Sequence, residues 1–449
     1  MSKKSGKGLF YYLGLLISFV FGVCCILIAI LIFNPNKDVY GIGIRYTNCS
    51  DNMHITSIPV DDVETPLNNL SFNKITLNAN FSNFSIGYTT SESMEIYIRP
   101  HYVALTKNDP RTYSANVTYE YNEIKIDITE PNLFIPLSRG SKVEIIFPVD
   151  YAGSFSNIDF NINSNSGKVT LGDTTTGDYV IKNLNVNTKS GTVNIKENVK
   201  VLGAVNIEST KAKVNINTTE IGSLYVKNNT GRIKTGDLNC DVEIDNRKTL
   251  EANLGNINGN VKVTSNAGYF KAKQVNNFTK TPQIDSTDKD LTEITLQKVN
   301  GNATITTHSG EIKIDEITGK TIINTTSGDV KIGKANSSVQ IDTKTGNVEL
   351  TQNTTSTTTV NTTKGSIKVT FAGTVGAINE FTSTSGTISI YTMGGTPYLL
   401  DYTTGKSLYK DWEVEQNSAP SGSISIFGGN QLNKIKAETQ GSIKLYSIV

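Results

Sequence analysis

The sequence predicts an all-β protein, a β-helix or β-solenoid built from single strands and preceded by one transmembrane α-helix. Three observations predict it: an uncharged apolar run at residues 9–33, an 18-residue repeat beyond residue 150, and a composition rich in Ile, Val, Thr and Asn. Helix formers are scarce and β-branched residues abundant, which favours strands. Hydrophobic residues make up 37% of the chain and charged ones 18%, both low for a globular enzyme. Disordered chains share that composition but lack apolar residues at fixed intervals, and here the intervals are fixed.

The apolar run comes first. From Leu9 to Phe33 there is no charge, and at about 1.5 Å per residue such a helix crosses a hydrocarbon core of about 30 Å. Lys3, Lys4 and Lys7 precede it, so the positive-inside rule puts the tail, residues 1–8, in the cytoplasm. A cleaved signal peptide has a shorter apolar region ending in a small-x-small site. Here the run ends in Phe33-Asn34-Pro35. The expectation is an uncleaved, single-pass anchor in the cell membrane, with the bilayer as partner of residues 9–33 and the C-terminal part outside.

The repeat is clearest from Gly301 to Leu350: GNATITTHSGEIKIDEIT, GKTIINTTSGDVKIGKAN, SSVQIDTKTGNVEL. At its period Ile305, Ile323 and Ile341 form one column. Ile312, Val330 and Val348 form a second, and Ile314, Ile332 and Leu350 a third. The residues between them, such as Lys313, Lys331 and Glu349, are polar. Alternate residues of a strand face opposite ways, so each unit has one apolar face that only stacking on its neighbours can bury. A Ser-Gly or Thr-Gly pair precedes each strand, because the chain must turn corners and Gly accepts positive φ. The pair recurs at Ser166-Gly167, Ser190-Gly191, Thr230-Gly231, Ser385-Gly386, Thr404-Gly405 and Ser421-Gly422.

Around the repeat, residues 34–66 read as a linker and residues 67–150 as an N-terminal β cap. The solenoid proper is expected over 151–449, with an irregular rung at 391–420. Tyr398, Tyr402, Tyr409 and Trp412 gather in that rung and are the candidate surface contacts, since large rigid aromatics with a polar tip favour recognition surfaces. The last strand, Gly441 to Val449, would by itself leave an open edge, which the 406–420 loop is expected to fold over; the alternative is self-association of copies through it.

The chain resembles the putative-adhesin family of bacterial envelope proteins, a repetitive all-β family of unknown function. The residues carrying the resemblance are KVEIIFPVDY (142–151), NINSNSGKVTLGD (161–173) and the reiterated S-G-x-Φ-x-Φ strands, over roughly residues 70–449. The resemblance implies a right-handed β-helix-like ectodomain at the cell envelope, with adhesion as its role.

Residues that could carry chemistry are few and scattered. A net charge of +1 supplies no basic footprint for nucleic acid. His54, His101 and His308 are far apart in sequence, and no metal site, cofactor or catalytic group is expected. The acidic pair Glu311 and Asp329 stacks one rung apart, near a glycosidase separation, but the column continues with Asn347. Cys49 and Cys240 would both lie outside, where they could pair or stay as thiols. The expected function is a non-catalytic, adhesin-like envelope surface protein whose partner is an envelope polymer or surface protein. The alternatives are an envelope sensor acting through a membrane partner and, third, a polysaccharide-acting enzyme.

Overall fold

The computed structural model describes residues 17–18, 21–22, 42–46, 53–89, 93–107, 114–129, 135–148, 154–172, 178–282, 291–376, 378–412, 419–429 and 432–448. The expected membrane span lies outside them except for Ile17, Ser18, Phe21 and Gly22, which are helical. Among the described residues no helix is long and apolar enough to cross a membrane. The chain divides into two compact units, the first ending near residue 149 and the second holding most of the residues beyond it.

In the first unit, the strand Ile135–Pro148 is the centre. Its Val143 and Ile145 sit beside Phe84 and Ile86 of a parallel neighbour. On the other side they face Ile98 and Ile96 of the antiparallel strand Glu95–Lys107. All six side chains are buried. The segment expected as a linker, residues 34–66, instead contains strands. Ile42–Tyr46 and Met53–Ile55 both pair antiparallel with Glu95–Lys107. Ser57–Val60 and Val63–Pro66 form a hairpin. Its turn residues Asp61 and Asp62 both have positive φ, as the tightest hairpin turns require. These strands are too short, and Pro59 and Pro66 too intrusive, to leave a readable alternation.

The second unit is a stack of parallel rungs. Ile305, Ile323 and Ile341 are lateral partners, and the column continues through Val360, Phe381 and Ala437. The column of Ile312, Val330 and Val348 runs on through Ile367, Ile388 and Ile443. All of these side chains are buried, and each Val, Ile and Phe among them is worth about 1.5–3 kcal/mol of apolar transfer. One inward position breaks the pattern. Lys280 lies between Val263 and Ile305 in the same column, is fully buried, and donates to the Ser265 carbonyl at 2.9 Å.

Outward positions interact up the stack. Asn206 donates to Asn185, which donates to Asn161, each at 2.8 Å. Asn215 bonds Asn194, and Asn277 bonds Asn260, each at 2.7 Å. Side-chain amides repeating at the rung spacing can each donate to the next, so such ladders extend the backbone ladder. This explains the Asn-rich composition. Lys331 and Lys368 clasp Glu349 from below and above at 2.9 Å each.

Corners are built from two columns. Gly310, Gly328 and Gly346 have positive φ, and a Cβ on Gly328 or Gly346 would collide with the carbonyl of the glycine one rung below. Inside each corner stands a buried hydroxyl. Thr307 and Thr325 donate to the carbonyls of Ser309 and Ser327 at 3.0 Å, and Ser383 to that of Gly365 at 2.8 Å.

The end of the stack departs from chain order. Lys434–Thr439 pairs with Ile378–Ser383 on one side and Tyr398–Thr404 on the other. Ile443–Ile448 pairs likewise with Ile388–Met393 and with Leu408–Lys410. The last rung in sequence is thus inserted between the two rungs that precede it. Side-chain bonds report the same order: Thr439 reaches the Gly386 carbonyl at 2.6 Å and Thr404 the Gly441 carbonyl at 2.7 Å. The last strand is therefore covered from the loop expected to fold over it: Leu408–Lys410 pairs along Ile443–Leu445, and Asp411 accepts the Ser447 N–H at 3.1 Å. The outer strand is Ser421–Ile426, antiparallel to Tyr398–Thr404, so Ser421-Gly422 lies within a strand and is not a corner.

Candidate functional site

On the face opposite the Ile305–Phe381 column, outward residues of five successive strands line one open groove of about 480 Å³. Strand alternation puts Thr306, Asn324, Asp342, Asn361 and Thr382 in a single row, each the lateral partner of the next. Two residues further along each strand, Thr326, Lys344, Thr363 and Thr384 form a second row at the lip. Four rung spacings give the row a length of about 19 Å.

The electrostatics are mild. Asp342 accepts amide hydrogens from Asn361 at 2.8 Å and Gln340 at 3.0 Å, so its charge is already solvated by the wall. Lys344 is exposed and projects at the lip. The threonines each present a methyl and a hydroxyl, one donor and two acceptors. Such a surface can hydrogen-bond a chain of alternating polar groups while covering its apolar faces.

The sequence-derived aromatic candidates fare differently. Tyr398 and Tyr402 are not surface contacts: they occupy inward positions flanking Leu400 and are buried. Burial pushes the Tyr398 phenol well above the usual tyrosine range. Tyr409 and Trp412 are half-buried. Tyr409 tilts against Tyr446 at 6.2 Å, and Tyr446 stacks on Tyr391 at 4.5 Å. Lys368 sits 5.6 Å from the Tyr391 ring, and Trp412 lies 5.8 Å from Phe427. Stacking turns the faces of Tyr391 and Tyr446 toward each other along the rung direction, which spends on cohesion the area a ligand would use.

Other candidates are engaged structurally. Asp329 accepts the Asn347 N–H at 2.8 Å, so the Glu311–Asp329 column braces a corner. Asp315 pairs with Lys313 at 3.4 Å and Glu316 with Lys334 at 3.7 Å. His308 stands at a corner, its carbonyl taking the N–H groups of Thr326 and Ser327. His54 stacks on Tyr97 at 4.4 Å and approaches Glu95 at 3.4 Å. Among the described residues no group of three or more His, Cys, Asp or Glu could hold a metal ion. Cys240 is a buried free thiol whose pKa is pushed up to about 11 by burial and by Asp241; Cys49 lies outside the described residues.

The groove was missed in the sequence because its rows are ordinary outward Thr and Asn, repeated everywhere in the chain. The available signal was the T-T-x-G corner at Thr325 and Thr326, and again at Thr362 and Thr363.

Fold and groove define a repetitive all-β solenoid with one open groove lined by Thr, Asn, Asp and Lys side chains. Residues 283–445, most of the regular rungs, match the Toastrack DUF4097 family. Over this stretch the resemblance to a repetitive all-β family is met. No curated protein matches the chain. Solved structures that align with it include a putative adhesin from Bacteroides fragilis at 12% identity, covering 66% of this chain and 98% of that one with a TM-score of 0.23. A putative cell adhesion protein from Clostridium sporogenes aligns at 9% identity over 89% and 99% of the two chains, with a TM-score of 0.16. A putative adhesin from Parabacteroides merdae gives 13%, 76%, 92% and 0.17. Superpositions this loose carry nothing about ligand or activity.

Proposed function

We propose that this chain is a non-catalytic, adhesin-like surface protein of the bacterial cell envelope. Residues 9–33 anchor it in the membrane, and the solenoid holds an extended envelope polymer. The observation that carries this reading is the groove: five strands contribute equivalent positions to one row about 19 Å long. A repeating surface of that kind suits a repeating ligand, with many weak contacts distributed along its length. Threonine and asparagine supply hydrogen-bond partners in both senses, which fits a hydroxyl-rich glycan strand.

The test is binding of the purified ectodomain, residues 34–449, to a panel of envelope polysaccharides by calorimetry. Filling the groove with Thr326→Trp and Thr363→Trp should lower affinity at least tenfold while the circular dichroism spectrum stays unchanged. Lys331→Ala, outside the groove, should leave affinity as it was. New reducing ends released from any polymer of the panel would refute the non-catalytic reading. On cells stripped of outer layers, added protease should digest residues 34–449, and full protection would refute the proposed topology.

A further inference from the structure

Of the two charges that line the groove, one is answered by the protein and the other is not. Asp342 takes a hydrogen bond on each carboxylate oxygen, from the amides of Asn361 and Gln340. Lys344, two residues further along the same strand, is exposed, and among the described residues no carboxylate pairs with it. Elsewhere a lysine and a carboxylate at this spacing do close: Lys125 with Asp127 at 2.9 Å, Lys313 with Asp315 at 3.4 Å and Lys436 with Glu438 at 3.0 Å. Here the amides hold the carboxylate and leave the ammonium open.

A second cation stands beside the first. Lys364 is exposed and equally without a carboxylate partner among the described residues. It is the lateral partner of Thr345, so the two lysines lie on adjacent rungs one residue out of step. Like charges on neighbouring strands repel, so this pair does not brace the stack as Lys331 and Lys368 do around Glu349 on the other sheet.

We propose that the polymer held in the groove is anionic, with phosphate or carboxylate groups along its length, and that Lys344, seconded by Lys364, selects it. This rests on the groove being the polymer site argued above. Thr326 and Thr363 hold the positions equivalent to Lys344 on the rungs below and above, and all three line the groove. Their hydroxyls rotate to donate. An anionic group seated over Lys344 thus meets an ammonium flanked by two O–H donors, and hydrogen bonds to an ionised acceptor are the stronger kind. The rest of the lip, Thr384 with Thr382 behind it, is neutral and suits the uncharged parts of the same chain. Two lysines in a protein of net charge +1 fall far short of the basic footprint that nucleic acid requires.

The experiment measures binding of three polymers to the full-length chain by calorimetry: polygalacturonate, its fully methyl-esterified form, and poly(glycerol phosphate). At low salt at least one acidic polymer should bind at least tenfold more tightly than the ester. The preference should shrink as salt rises, because exposed charges are screened. The tighter of the two acidic polymers tells phosphate from carboxylate. Lys344→Gln combined with Lys364→Gln should abolish the preference and leave binding of the ester unchanged. Lys313→Gln combined with Lys331→Gln removes the same charge from the other sheet and should leave the preference intact. Ester and acids binding equally to the parent would overturn the charge selection while the groove stands as a glycan site. A preference that survives in the groove variant, or falls equally in both variants, would overturn the role of Lys344. Single-stranded DNA binding as tightly as the better acid would overturn the assignment to an envelope polymer. Binding of none of the three polymers would overturn the groove as a polymer site, and the selection with it.

Discussion

Ile323 shows how strongly a single inward position is constrained. It is fully buried, with Ile305 and Ile341 directly below and above. Ile323→Asp would put a carboxylate where nothing can pair with it, at a cost of several kcal/mol. Lys331, half-exposed and 2.9 Å from Glu349, contributes a surface ion pair worth at most about 1 kcal/mol. Urea titrations should show a large loss for the first substitution and a small one for Lys331→Ala. The small loss has a pH signature. Hydrogen bonds from Lys368 and then Lys331 hold the Glu349 carboxyl below its usual range. A depressed carboxylate stabilises above its unfolded pKa of about 4.3 and ceases to do so as pH falls through the folded value. The difference between the parent and Lys331→Ala should therefore vanish in acid; a gap that persists there would rule out the ion pair as its source. At this scale the apolar columns were legible because Ile and Val recur at a fixed spacing. Lys280 was not, because lysine reads as outward and only the backbone register shows that it points into the core.

Among elements, the corner sets the tolerance of the repeat. Gly346 combines a φ of +149° with a neighbour, the Gly328 carbonyl, in the place a Cβ would occupy. Gly346→Ala should cost about 1–3 kcal/mol from backbone strain, with displacement of the adjacent rung added to it. At Gly373 a Cβ would meet only the Asn353 carbonyl, at 3.8 Å, and Gly373→Ala should stay within about 0.5 kcal/mol. Thermal unfolding of the two variants separates these outcomes, and equal losses would mean that the corners do not limit the stack. The Ser-Gly pairs were a sound guide to corners where a parallel rung comes next. They misled at Ser421-Gly422, because SGSISI has the composition of a rung strand yet pairs antiparallel at the outer edge. Nothing local distinguishes the two uses; the partner strand decides. The buried Thr column was missed for a related reason, since threonine is common on both faces of these strands.

For the whole stack, periodicity tells each rung which side chains face inward but not which rung it lies on. The turns 398–410 and 434–448 carry equivalent inward residues, Leu400 and Tyr402 against Ile435 and Ala437, so chain order was the natural reading and spatial order differs from it. That equivalence makes a prediction about a chain ending at residue 429. Without the terminal rung, Ile378–Ser383 and Tyr398–Thr404 would each present an unpaired edge, with N–H and C=O groups lacking partners. The turn 398–410 should descend one level and pair with Ile378–Ser383 and Ile388–Met393, placing Phe381 beside Tyr402 and Ile388 beside Leu408. Thr382 and Thr403 report the movement, because in the full chain both are partners of Glu438 from opposite sides. They are then two strand spacings apart, about 9.6 Å, beyond the roughly 7 Å that a disulfide can bridge. With cysteine at both positions, the full chain should stay reduced under mild oxidant and the shortened chain should form the bond, read as a mobility shift on a non-reducing gel. A shortened chain that keeps its strand spectrum but does not cross-link would mean that the space between Ile378–Ser383 and Tyr398–Thr404 holds its shape unaided, and the terminal rung would then be a guest in a preformed site.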